Sequence, residues 1–122
     1  MTGTSEDPAN RLKDRLRAAM RIAMQAKRAD ETRLLRSLLA AIDDAQAVPM
    51  DEMRSNSSRA FGDGSAEVPR LKLSDEQLQT LLTGEMAVRR EAAAEMRRLG
   101  QEQRADALGA EVEMIGRYLA PE

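Results

Sequence analysis

The chain has 122 residues, a net charge of −2 and 42% apolar residues, but only one Phe, one Tyr and no Trp. This length suits one domain with one modest core, and a core of Leu, Ala, Met, Ile and Val favours packed helices over a β-sandwich. Because Cys and His are absent, thiol nucleophiles, imidazole bases, disulfides and Cys/His zinc sites are excluded.

The charges are unevenly distributed along the chain. Residues 11–36 hold nine Lys or Arg against three Asp or Glu, whereas residues 37–122 hold ten against sixteen. One end is therefore basic and the rest acidic. No run approaches ~18 consecutive apolar residues, and the N-terminus has no signal-peptide pattern. We expect a cytoplasmic protein with no membrane partner.

The first predicted element is a helix that follows a flexible tail. Residues 1–9 are small and polar and include Pro8, so Asn10 is the expected N-cap. From there to about Arg28, apolar residues recur at helical spacing: Leu12, Leu16, Ala19, Ala23 and Ala26. Arg17, Arg21 and Arg28 lie opposite this stripe, in the pattern of a phosphate-backbone contact or of an ordinary solvated face.

A second helix is predicted from a cap at Asp30 to about Ala47. Its apolar residues share one face: Leu34, Leu35, Leu38, Ala41, Ile42 and Ala45. The short break between the two helices predicts an antiparallel hairpin. Residues 48–73 are rich in Ser, Gly, Pro and Asn, which indicates a mobile linker or, alternatively, a functional loop.

The third and fourth predicted helices form the C-terminal half. Ser74 and Gln77 make a capping box at the start of the third helix, which runs to about Arg98, with Gly100 as its stop. The fourth begins between residues 101 and 106 and ends before Pro121. Its apolar stripe contains Ala105, Leu108, Val112, Ile115 and Leu119. We therefore predict an all-α domain over residues 10–121, built from two antiparallel hairpins joined by a long loop.

Charged residues also lie on the apolar faces of this half. Glu85 and Arg89 fall within the leucine arc of the third helix, in the favourable i, i+4 order. Glu111 and Tyr118 lie beside the stripe of the fourth helix. The four side chains could form a buried polar network that sets the register of the two helices, or they could line a pocket. Without a nucleophile and base beside them, the structural interpretation is favoured.

Three segments resemble the GatB/YqeY family: LLRSLLAAIDDA, SDEQLQTLLTGEMAVRREAAAEMRRLG and RADALGAEVEMIGRYLAPE. The second is similar to a serine-capped helix with a Glu-x-x-x-Arg-Arg-Glu pattern, here Glu85, Arg89, Arg90 and Glu91. The resemblance implies a helical domain like the C-terminal tail of the GatB subunit of tRNA-dependent amidotransferase, which helps to hold tRNA. The family-associated term, carbon-nitrogen ligase activity with glutamine as amido-N-donor, belongs to other domains.

The expected function is a noncatalytic helical binding module without a cofactor or metal. Its favoured partner is tRNA or a tRNA-processing complex. The alternative is a structural or protein-interaction module with no nucleic-acid role, and an amidotransferase enzyme is a distant third.

Overall fold

The computed structural model describes residues 7–47 and 70–119, and these residues form four helices without a strand. The helices are α1 (Pro8–Gln25), α2 (Ala29–Gln46), α3 (Asp75–Arg98) and α4 (Glu102–Gly116). Helix α1 packs mainly against α2, and α3 packs mainly against α4. The predicted all-α class and its two helical hairpins are confirmed.

The start of α1 differs from the prediction. Asp7 is the N-cap, and its Oδ1 accepts a hydrogen bond from the Ala9 N–H at 3.0 Å. Pro8 occupies the first helical position, where its missing N–H costs nothing because that group has no partner inside a helix. The expected cap at Asn10 is therefore wrong. Residues 1–6 of the predicted tail lie outside the described residues.

A Schellman turn joins α1 to α2. Lys27 has a φ of 60°, and the Arg28 N–H donates to the Ala23 carbonyl at 2.8 Å. Helix α2 begins directly afterwards, and no side chain caps it. The prediction that Asp30 is the cap is wrong, because Asp30 lies in the first turn and pairs with Arg33.

The start of α3 and the turn after it agree with the sequence analysis. The Ser74 hydroxyl accepts from the Gln77 N–H at 3.0 Å, and the Gln77 side chain accepts from the Ser74 N–H at 2.9 Å. Gly100 has a φ of 76°, in the left-handed region that favours glycine. The capping box and the glycine stop are confirmed.

The end of α4 and the approach to α3 were less well predicted. Helix α4 ends at Gly116 rather than near Pro121, and residues 117–119 form a turn. Residues 48–69 of the predicted linker lie outside the described residues. The four residues before Ser74 pack against the first hairpin, because Leu73 is buried and the Leu71 N–H donates to the Gln46 carbonyl at 2.8 Å.

All four helices contribute to one apolar core. Its largest fully buried side chains are Leu16, Leu35, Leu38, Ile42, Leu82 and Ile115. The contacts between hairpins run mainly from α3 to α1 and α2. At about 36 Å, α3 is longer than α1 and α2, which each span about 27 Å. Its C-terminal part packs against the start of α4, where Arg97 lies 3.1 Å from Asp106.

Candidate nucleic-acid interface

The basic surface predicted from the sequence lies on α1 and on the turn that follows it. Arg17 and Arg21 are one helical turn apart and both are exposed. Arg17 makes a long ion pair with Asp14, at 3.5 Å between Nη1 and Oδ1. Among the described residues, no acidic side chain pairs with Arg21. Both side chains are therefore accessible to phosphate oxygens.

Arg28 does not extend this stripe as predicted. Helix α1 ends at Gln25, so Arg28 lies beyond it, at the N-cap of α2. Its guanidinium is exposed and lies 3.7 Å from the Glu31 carboxylate. The prediction of three arginines along one helix is corrected to two arginines on α1 and a third after the turn, with exposed Lys27 beside it.

The predicted polar network joins three of its four residues. Arg89 Nη1 donates to Glu85 Oε1 at 2.8 Å and to the Glu85 carbonyl at 3.0 Å, and Arg89 Nε donates to Glu111 Oε1 at 2.7 Å. The Arg89 side chain is only 13% exposed, against 30% for Glu85 and 29% for Glu111. One guanidinium therefore links α3 to α4 at the edge of the core.

These contacts keep the Arg89 guanidinium protonated. Burial alone would lower the pKa of Arg89, but the hydrogen bonds that its guanidinium donates to Glu85 and Glu111 raise this pKa above its ordinary value. The group stays cationic at all working pH values. The cluster therefore acts as a fixed ion pair between helices rather than as a proton donor.

Tyr118 is not part of this cluster. Its ring lies beneath Arg15 of α1, with 5.1 Å between the guanidinium carbon and the ring centroid. Burial raises the pKa of the Tyr118 phenol, Arg15 opposes this shift, and Glu31 adds to it. The prediction failed because α4 ends at Gly116, and the Tyr118 N–H bonds to the Ile115 carbonyl three residues back. This tighter turn rotates Tyr118 away from the helical position extrapolated from Glu111.

A second polar cluster was missed by the sequence analysis. Lys13 is only 6% exposed, and its Nζ donates to Gln46 Oε1 at 2.8 Å and to Asp43 Oδ1 at 3.2 Å. Arg70 Nη1 reaches the same two oxygens, at 3.2 Å and 3.5 Å. The cluster thereby joins both helices of the first hairpin to the segment that precedes α3.

A signal for the burial of Lys13 was present in the sequence. Lys13 follows Ala9 by four residues and precedes Leu16 by three, so it shares a helix face with two core residues. The positive charge of Lys13, however, favours an exposed position, so the shared face alone did not predict its burial. The Gln46 side chain that satisfies it comes from α2, so helical periodicity within α1 could not identify the partner.

No family model, curated protein or solved structure matches the chain. Over the ranges 7–47 and 70–119, no group of three or more acidic side chains could hold a metal ion. Within the same ranges, no helix is long and apolar enough to cross a membrane.

Proposed function

We propose that this protein is a noncatalytic, cytoplasmic binding module that contacts the phosphate backbone of RNA, with tRNA or a tRNA-processing complex as its partner. The observation that carries the proposal is the accessible arginine pair Arg17 and Arg21, followed by Lys27 and Arg28 at the turn. The resemblance of the chain to the GatB/YqeY family supports tRNA as the kind of RNA. The proposal assigns no bond-forming step to this chain.

Charge segregation supports a phosphate contact despite the acidic overall balance. The first hairpin, residues 8–46, holds nine cations and five acidic residues, a net charge of +4, and only Lys13 of the nine cations is buried. An RNA that approaches this hairpin meets a net positive surface, whereas residues 70–119 hold eight cations and nine acidic residues and offer no such excess. We therefore expect weak binding with one preferred orientation.

Filter binding of tRNA at several salt concentrations tests the proposal. Each phosphate contact contributes about 0.7–0.9 to the slope of log affinity against log salt, so Arg17→Glu/Arg21→Glu should reduce the slope by about 1.4–1.8. The loss should be similar for unrelated RNAs, because phosphate contacts carry no base information.

Arg90→Glu/Arg104→Glu is the matched control. Arg90 on α3 and Arg104 on α4 are also exposed, and their reversal changes the net charge by the same amount. This control should keep the salt slope of the unaltered protein. Equal losses in both variants, or no tRNA retention at low salt, would refute a phosphate contact at α1.

The alternative is a protein-interaction module, and one observation favours it. Ile22 and Met24 are exposed near the C-terminal end of α1, at 61% and 53% of their full areas. Apolar side chains beside basic ones are common in protein interfaces. If tRNA is not retained, the double variant Ile22→Ser/Met24→Ser tests for a protein contact at this end of α1. Neither residue belongs to the core, so the variant is expected to keep the fold.

A further inference from the structure

The C-terminal part of α3 carries an apolar stripe that the core does not use. Val88 and Leu99 are exposed at 64% and 61% of their full areas, and partly buried Ala92 lies between them. These three residues follow one another by four and seven positions, so they lie within about 40° of one another around the helix axis. The core takes Leu78 and Leu82 from the first half of α3 instead. The stripe therefore lies beyond the part of α3 that contributes to the core.

Two opposite charges lie along one flank of this stripe. Glu91 and Arg98 are seven residues apart, so they point within about 20° of each other, and both are exposed. Glu91 has no ion-pair partner in the part of the chain that the structure describes. Arg98 pairs with Glu95 one turn earlier, but both side chains are exposed, so this pair contributes little. The guanidinium has five N–H donors, so Arg98 can also bind a second carboxylate.

The order of these residues along α3 fits an antiparallel copy of the same helix. When two α3 helices lie antiparallel with Val88 of each against Leu99 of the other, the two-fold axis passes between residues 93 and 94. The midpoint of Glu91 and Arg98 is one residue away, about 1.5 Å along the helix. The same arrangement therefore brings Glu91 of each copy close to Arg98 of the other. In a parallel pair, the two charged flanks would lie on opposite sides of the contact and could not meet.

We propose that two copies of this chain associate through these stripes, with their α3 helices antiparallel. The contact buries Val88 of each copy against Leu99 of the other. It also forms two identical ion pairs between Glu91 and Arg98, because a two-fold axis repeats each contact. Each copy supplies only two large apolar side chains, and the exposed Glu95 lies beside them. The dimer is therefore weak, with a dissociation constant on the order of 10⁻⁴ M.

This dimer contact is separate from the surface proposed to bind RNA. Arg17 and Arg21 lie on α1, whereas the stripe and its charged flank lie on the second half of α3. Loss of association therefore leaves the RNA surface intact, and loss of RNA binding leaves the dimer contact intact. The two proposals can fail independently.

Sedimentation of the full chain between about 10 μM and about 1 mM tests the proposal, because a dissociation constant near 10⁻⁴ M lies within this range. We expect mainly monomer at the lowest concentration and mainly dimer at the highest. Val88→Ser/Leu99→Ser should weaken association more than tenfold, because it removes the apolar contact. Neither side chain is part of the core, so circular dichroism should show unchanged helix content. Ile22→Ser is the matched control, because Ile22 on α1 is as exposed as Leu99, and it should leave the dissociation constant unchanged.

Charge reversal tests the antiparallel arrangement. Glu91→Arg and Arg98→Glu should each weaken association about tenfold, because each replaces two attractive pairs by two repulsive ones. The double variant Glu91→Arg/Arg98→Glu restores opposite charges and should recover the dimer. Arg90→Glu/Glu113→Arg reverses two exposed charges outside the stripe and should have no effect. A monomer throughout the concentration range, equal weakening by Ile22→Ser or no recovery in the double variant would overturn the proposal.

Discussion

Two cations on apolar helix faces, Arg89 and Lys13, illustrate how single residues serve this fold. Each places its stem against the core and directs its nitrogens at acceptors from another helix, Glu111 for Arg89 and Gln46 for Lys13. No buried side-chain polar atom among the described residues lacks a hydrogen-bond partner. Burial of both groups is therefore compensated. Removal of Arg89 would leave Glu85 and Glu111 without their shared partner. After removal of Lys13, by contrast, Arg70 would still reach Gln46 and Asp43.

Arg89→Ala should destabilise the protein by about 2–3 kcal/mol. The substitution leaves Glu85 and Glu111 facing each other in a partly buried position and removes the packed arginine stem. The partial exposure of both carboxylates keeps the loss below that of a fully buried pair. Urea denaturation followed by circular dichroism measures the free energy of unfolding.

Arg97→Ala provides a control with the same connectivity. Arg97 also joins α3 to an acid of α4, at 3.1 Å from Asp106, but its side chain is 51% exposed. Its removal should cost less than about 1 kcal/mol. If Arg89→Ala and Arg97→Ala lowered the free energy of unfolding by similar amounts, burial would not determine how much the Arg89 contact contributes to stability.

At the scale of elements, the two helices of each hairpin are joined by the same kind of turn, with one residue in the left-handed region. The Schellman turn after α1 places Lys27 in the left-handed region, and the turn after α3 places Gly100 there. A residue with a Cβ pays about 1 kcal/mol for this conformation, which glycine avoids. The glycine therefore predicted its turn from the sequence, whereas the lysine gave no such signal.

Gly100→Ala and Gly84→Ala should change stability in opposite directions. Neither glycine has an atom within 4 Å of an added Cβ, so packing does not contribute. Gly100 has a positive φ, and alanine there should cost about 1 kcal/mol. Gly84 lies inside α3, where alanine should stabilise the protein by up to about 1 kcal/mol.

Thermal unfolding of the two variants beside the unaltered protein measures this difference. Each should shift the melting temperature by several degrees, downward for Gly100→Ala and upward for Gly84→Ala. If both variants shifted the melting temperature in the same direction, backbone conformation at Gly100 and Gly84 would not determine their effect on stability.

At the scale of the molecule, the single tyrosine reports whether the hairpins are assembled. Tyr118 follows α4, yet its ring contacts Arg15 of α1, and burial raises the pKa of its phenol. Because the folded state holds the proton more tightly, this contribution to stability is fully present below the unfolded pKa of about 10. It is lost as the pH rises through the folded pKa.

An absorbance titration should therefore place the pKa of Tyr118 above about 10 in the native protein and return it to about 10 in urea. Arg15→Gln should raise the native pKa further, because the guanidinium favours the phenolate. Arg36→Gln, on the exposed face of α2, should leave the native pKa of Tyr118 unchanged. An ordinary titration in protein that retains native circular dichroism would contradict the packing of Tyr118 against α1.

Within residues 7–47 and 70–119, the sequence by itself determined the approximate spans of the four helices, the Ser74 capping box, the Gly100 stop and the Glu85–Arg89 pair. These features depend on hydrogen bonds and side-chain spacings within a few residues, so they can be deduced from periodicity. Only the tertiary structure decided that Lys13 is buried, that Tyr118 contacts Arg15 and that α3 packs against both helices of the first hairpin. Each of these results depends on where distant elements pack against one another, and the spacing within one helix does not contain that information.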